Sequence, residues 1–348
     1  MFIYIINLAS IIIYALLANF FKHFEKVIYF IIGLQLFFIS ALRNTNVGTD
    51  LPVYLFHMYR VNNLSWNELD SINFEYGYVL LTKIISSIYC DEMFYIMITS
   101  AIIVIGFMRY TLAFSKMPWL SIFLLIALGN YTHSFNIIRQ YIAIVIVLSS
   151  IKYIYEKKLL PFVLIVLIAT MIHISALVFL ILYPISRIKI NSIYLTIIGL
   201  ATFLVFLFKK ELVNFIFAMY QGRTELNVVS GEGQGMLVLL SFVTICGLFF
   251  KDNVLKKDDK LAIFYHMMII SIPLQVLSLE FSLFVRVVTY FSIAMIIMIP
   301  NVIASFQSIY ERIIAIMIVC FFTSVYFYVL VLTGNNTSNI IPYMFIWE

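Results

Sequence analysis

Ten apolar runs of about 15–25 residues succeed one another along this chain, and no other feature restricts its fold so severely. A helix needs about 20 apolar residues to cross a hydrocarbon core of about 30 Å, so each run is a candidate span. The runs fall near 2–21, 26–42, 93–111, 118–131, 136–155, 191–208, 235–250, 261–279, 285–305 and 309–332. Within hydrocarbon every backbone N–H and C=O must find a partner inside the structure, which leaves helices or closed barrels. The period-two alternation of barrel strands is missing here. The expectation is therefore an all-α, polytopic helical membrane protein with about 10–12 transmembrane or re-entrant helices. A hydrophobic share of 64% with 11% charged residues excludes an ordinary soluble domain, in which roughly half the residues are apolar. No linker, low-complexity stretch or repeat divides the chain, and 1–348 reads as one domain.

The charges report orientation. A formal net charge of +5 does not indicate nucleic acid, because Lys and Arg gather in short loops between apolar runs. Lys22/Lys26, Arg109/Lys116, Lys152/Lys157/Lys158, Arg187/Lys189, Lys251/Lys256/Lys257/Lys260 and Arg312 are expected on the cytoplasmic side. Loops 43–74 and 209–234, with the tail 333–348, then lie outside. That bookkeeping closes only if 75–90 and 159–186 each enter and leave the membrane on one side. Segment 75–90 carries Glu75, Lys83, Ser86 and Ser87, and segment 159–186 has His173 at its middle, as a broken re-entrant pair would. The N-terminus lacks a basic region and a small-residue cleavage site, so it reads as a retained first span. Cys90, Cys246 and Cys320 read as small buried hydrophobes. Gly231, Gly233 and Gly235 read as a mobile external loop, and the Asn335-Asn336-Thr337 glycosylation triplet as a chance match.

Four polar groups remain once the loop charges are explained. The first is Arg43, Asn44, Thr45, Gly48, Thr49 and Asp50, followed by Tyr54. Arg43 offers a fork of donors suited to a diphosphate, and Asp50 a carboxylate able to take a proton from a sugar hydroxyl. Gly48 permits a tight turn. The structural alternative is a snorkelling Arg that ends the second span, with Asp50 capping an interfacial helix. The second group is His133, Asn136, Arg139 and Gln140, which spacings of three and four would place on one helix face. Arg139 is followed by some fifteen apolar residues, which favours an anion-binding role over a terminal charge. The third is His173, either a satisfied core residue or a general base. The fourth is Arg286 with Thr289 and Tyr290; Glu280 could pair with Arg286. No second His or Cys stands at metal-ligand spacing, so neither a metal nor a cofactor is expected.

In this order, the chain resembles the EpsG-like family of Wzy-type polysaccharide polymerases. The resemblance is carried by RNTNVGTD (43–50) with Tyr54, FEYGY (74–78), IRQYIA (138–143), HISAL (173–177), RVVTYFSIAMIIMIP (286–300) and Pro342-Tyr343. It implies a GT-C-like bacterial inner-membrane enzyme, working on the periplasmic side, that transfers a growing glycan from undecaprenyl diphosphate to the non-reducing end of an incoming lipid-linked repeat. The pathway implied is O-antigen or capsule/exopolysaccharide assembly. The partners implied are the undecaprenyl-diphosphate-linked oligosaccharide, the lipid bilayer and a chain-length regulator, with no nucleic acid. On that resemblance Arg43, Arg139 and Arg286 are the expected diphosphate ligands, Asp50 the first and His173 the second expected base. Thr49, Tyr54, Glu75, Asn136, Gln140 and Tyr290 are expected to bind substrate. A lipid-linked oligosaccharide flippase and an O-antigen ligase are the competing functions.

Overall fold

The computed structural model describes residues 1–219, 233–333 and 339–348. Among them the chain is helical almost throughout and contains no strand, only an isolated antiparallel bridge between Arg43 and Phe345. Five helices of the described residues are long and apolar enough to cross a membrane: Glu92–Phe114, Ile138–Tyr155, Asp259–Ser278, Phe284–Ser305 and Ile309–Val329. Ser192–Leu207 and Lys209–Phe215, bent by 78°, supply a sixth if they count as one span. Shorter apolar helices, including Phe2–Ala18, Tyr76–Ile88, Leu159–Ile172 and Gln234–Phe249, lie among them. Large apolar side chains such as Phe203, Phe242, Phe249 and Phe321 stand exposed, the inverse of a soluble surface. The protein is a polytopic, all-α membrane protein.

Several expected spans take a different form. The 118–131 run is helical only over Pro118–Ala127, which rises about 15 Å and cannot cross alone. Gly129, at φ 80°, breaks it, and Leu120–Ala127 are all buried as a central plug. Segment 159–186 is interrupted where the sequence suggested, at His173, which is extended between helix Leu159–Ile172 and the 3-10 helix Ile174–Ile181. Segment 75–90 forms the 13-residue helix Tyr76–Ile88. Of the loop 209–234, residues 209–219 are helical and 220–232, with Gly231, lie outside the described residues. So does the Asn335-Asn336-Thr337 triplet of the tail.

Small residues set the closest contacts, as packing between apolar helices requires. A Cβ on Gly106 would lie 2.4 Å from Val145, so helices Glu92–Phe114 and Ile138–Tyr155 touch backbone to side chain there. A Cβ on Gly77 would lie 2.7 Å from Met171 Cβ, which locks Tyr76–Ile88 onto the end of Leu159–Ile172. Buried hydroxyls bond back to their own helices, as Thr99 does to Tyr95 O and Thr111 to Phe107 O.

Beyond Arg43 the chain forms helix Leu51–Asn63 and the 3-10 helix Trp66–Ser71, whose Ser65/Glu68 pair makes a capping box. Lys83 reaches back to the carbonyls of Val61, Asn62 and Leu64, satisfying the last acceptors of the first of these helices. The basic loops also collect. Arg109 borders one recess with Lys26 and another with Lys152, while Arg187 and Lys260 share a third.

Candidate functional site

Three breaks in helical structure build the site. The first is the loop 43–50. Asn44 accepts from Asn46 N–H, and Gly48 takes φ +116°, a conformation side chains other than glycine rarely adopt. A Cβ on Gly48 would stand 2.9 Å from Asn136 Oδ1 and 3.1 Å from Phe135 O, so the loop lies directly on the second break, at 134–137. Thr49 Oγ1 lies 3.4 Å from both Asn136 Oδ1 and Asp50 Oδ1, either of which can accept its single proton. Asp50 occupies the N-cap position of Leu51–Asn63, but its carboxylate makes no cap hydrogen bond. It also forms no ion pair among the described residues.

The last ten residues hold this loop in place. Asn44 N–H donates to Met344 O, Gly48 N–H to Asn339 O, and Asn339 Nδ2 to Asn46 O. Ile346 N–H donates to Leu42 O, and Tyr343 to Ile39 O. Pro342-Tyr343 could be noticed in sequence, but nothing in sequence tied it to residues some 300 positions earlier.

The third break is His173, brought to Glu75 by the Gly77–Met171 contact. The Glu75 carboxylate joins three elements. Oε2 lies 2.5 Å from Arg139 Nη1; Oε1 lies 2.9 Å from His173 Nδ1 and accepts from Ile174 N–H at 3.1 Å. Glu75 sits in the loop one residue ahead of its helix. Burial raises its pKa, but the hydrogen bonds of His173 and Ile174 and the charge of Arg139 overcome that and bring it down to about 2. The Arg139 guanidinium lies 4.0 Å from the Phe74 ring centre, 5.7 Å from that of Tyr78 and 5.9 Å from that of Tyr54. An aromatic cage thus surrounds the cation on the sides that Glu75 leaves open. Phe74 and Tyr78 were not assigned from sequence, though they flank Glu75 in FEYGY.

Helix Phe284–Ser292 closes the site. Gln140, fully buried, donates to Arg286 O at 2.7 Å, and Ser175 Oγ donates to the buried Tyr290 hydroxyl at 3.2 Å. Glu280 does not pair with Arg286; it is 2.6 Å from Lys209, the first residue of the helix beyond the bend. Arg286 has no carboxylate partner among the described residues. Tyr54 ties the groups together. Burial raises its hydroxyl pKa, Arg139 and then Arg286 pull it down, and Asp50 pushes it up, so two cations and one carboxylate act on a single oxygen.

Arg139 and Gln140 do not share a helix face with His133. The helix begins only at Ile138; Asn130–His133 is a separate single turn and Asn136 belongs to the link, because Gly129 and the irregular 134–137 stretch interrupt the winding. Arg43 stands apart as well. It is 1% exposed, with its guanidinium donating to Ser40 O, to Ser40 Oγ at 3.1 Å and to Ser100 Oγ at 3.2 Å, and lying 4.8 Å from the Phe135 ring centre. It touches the site through Phe135, next to Asn136.

Taken together, the cluster presents a guanidinium with no carboxylate partner among the described residues, a second guanidinium on a carboxylate, an imidazole on that same carboxylate, and a separate uncapped carboxylate. Such a set can hold an anion and accept a proton. No curated protein and no solved structure matches the chain. The EpsG family model matches residues 26–345, which takes in every one of these groups, and the chain belongs to the EpsG family.

Proposed function

We propose that this protein joins lipid-linked oligosaccharide repeat units, moving the growing glycan from undecaprenyl diphosphate onto the non-reducing end of an incoming repeat. EpsG is a Wzy-like polymerase family, so a glycosyltransferase-like polymerase of polysaccharide is the coarse function. The finer reading is carried by one observation: Arg139, held by Glu75 beside the Tyr54 ring, and Gln140, which donates to Arg286 O, are neighbours at the start of one helix.

In this reading the donor already has a good leaving group. The acceptor hydroxyl loses its proton to Asp50 as its oxygen attacks the anomeric carbon, and the bond from that carbon to the diphosphate oxygen breaks. The bonding pair leaves with the diphosphate, whose growing negative charge Arg286 and Arg139 stabilise. Asp50 is the first choice of base because, among the described residues, neither a cap bond nor an ion pair occupies it; His173, held by Glu75, is the second. Glu75 we assign to orienting Arg139 and His173 rather than to the sugar. Thr49 and Asn136 position Asp50, and Gln140 and Tyr290 set the helix that carries Arg286. Arg43 we assign to supporting the loop. The site faces the periplasm, opposite the basic loops, in the bacterial inner membrane.

The test is Arg286→Ala in a polymerase-deleted strain, with chain length read on a gel and protein level by immunoblot. Loss of long chains with single repeats still delivered to the surface supports the reading. Long chains persisting at normal protein level overturn it. Complete loss of surface repeats points to a flippase, and long polymer trapped on the lipid diphosphate to a ligase.

A further inference from the structure

At the other end of the helices, away from the polar cluster, Arg109 lies between two apolar troughs. The larger, of about 440 Å³, runs between helices Glu25–Ala41 and Glu92–Phe114 and is floored by Phe30, Leu34, Phe37, Val104, Ile105 and Met108. Its cationic residues are Lys26 and Arg109. The smaller, of about 220 Å³, runs between Glu92–Phe114 and Ile138–Tyr155, where Gly106 meets Val145, and its cationic residues are Arg109 and Lys152. Arg109 and Lys26 are exposed, and neither forms an ion pair among the described residues. Glu25 borders an adjoining recess with Pro118 and Trp119, which shares Lys26, Tyr29 and Leu112 with the larger trough.

We propose that Arg109, with Lys26, binds the phosphate of an anionic phospholipid whose acyl chain lies in the larger trough. Basic loop residues alone explain insertion with positive charge inside, but they do not call for an apolar channel leading away from the charge. Here both parts of a lipid find a counterpart: a guanidinium able to fork onto a phosphate, and a hydrocarbon-lined trough between two apolar helices. Lys152, across Arg109, adds positive field to the same headgroup. The site is distinct from the one assigned to the diphosphate. Lys26 and Arg43 lie at opposite ends of a 17-residue helix, about 25 Å apart at 1.5 Å per residue, so this lipid belongs to the other leaflet.

The experiment uses the full chain, purified in detergent, delipidated and offered equal amounts of phosphatidylglycerol and phosphatidylcholine with the same acyl chains. Native mass spectrometry then counts retained lipid. The wild type should retain phosphatidylglycerol at least about fivefold over phosphatidylcholine, the preference expected from one or two cations near a headgroup. Lys26→Gln with Arg109→Gln should bring the ratio close to one, and Ile105→Trp, which fills the trough, should lower retention of both lipids. Equal retention of the two lipids by the wild type overturns the proposal without any variant. So does an unchanged preference in a double variant whose elution profile matches the wild type.

Discussion

Arg43 and Arg139 are both arginines at the edge of apolar runs, in motifs of equal prominence, yet the fold surrounds them differently. Around Arg43 the acceptors are neutral and fixed: a carbonyl, two serine hydroxyls and a phenyl face, sealed from solvent. Around Arg139 the partner is a carboxylate, and both side chains of the pair are 18% exposed. A guanidinium sealed among immobile neutral groups is closed to a ligand, although all its hydrogen bonds come from Nη1 and its buried Nε has no partner among the described residues. One held by an anion near solvent can exchange that anion for another, because the incoming charge replaces what the outgoing one supplied. Arg286, with no carboxylate of its own among the described residues, is the more available still. On the proposed reading, the difference separates arginines that hold the site together from arginines able to act in it.

The largest effect expected breaks the acting side. Arg286→Ala and Arg139→Ala should each lower polymer formation about tenfold to a thousandfold at unchanged protein level, the range for removing a group that stabilises developing charge. Lys in place of Arg139 should restore little, since a compact ammonium cannot reproduce the forked contact. Retention of wild-type chain length by either alanine variant would remove the distinction drawn between these residues and Arg43.

Arg43→Met sharpens the contrast from the other side. Replacing a buried guanidinium by an apolar side chain of similar length should leave the activity per folded molecule within about tenfold of wild type, while the melting temperature changes as the Ser40 and Ser100 contacts are lost. A loss of activity as deep as that of Arg286→Ala, in protein that melts normally, would place Arg43 in direct contact with substrate.

Next in size is Gly48→Ala. Its left-handed backbone and the 2.9 Å approach to Asn136 should cost about 1–3 kcal/mol and move Asp50 relative to Arg139. Thermal unfolding and polymer length should both fall; a variant equal to wild type in both would show that the loop adapts.

The smallest effect is a pH response. The Glu75 carboxyl has its pKa lowered from the usual 4.5 to about 2, so its ion pair contributes stability that is complete above the unfolded value and is lost as pH falls from about 4.5 through about 2. Glu75→Gln should therefore be less stable than wild type at neutral pH and should lose less on acidification across that window. Parallel melting curves for the two proteins would place the lowered pKa elsewhere.

Much of this was legible in the chain. Apolar runs report a membrane fold because hydrocarbon imposes its demand locally, residue by residue. The break at His173 was visible as a polar residue stranded in an apolar segment. The candidate polar residues stood out because charge is scarce among so many hydrophobic positions. What could not be read was pairing. Whether Glu75 meets Arg139 or a sugar, and whether Glu280 meets Arg286 or Lys209, depends on helix ends far apart in sequence. Likewise, the early ending of the 118–131 span at Gly129 follows from one backbone angle.

The sequence by itself determined the solvent this protein folds in and the few residues costly enough there to need partners. Tertiary structure alone decided which partner each received. Close approaches at Gly48, Gly77 and Gly106, and a C-terminal tail folded back on the 42–48 loop, fix which side chains meet. Spacing along one helix carries no information about such contacts between helices, and the proposed chemistry rests on them.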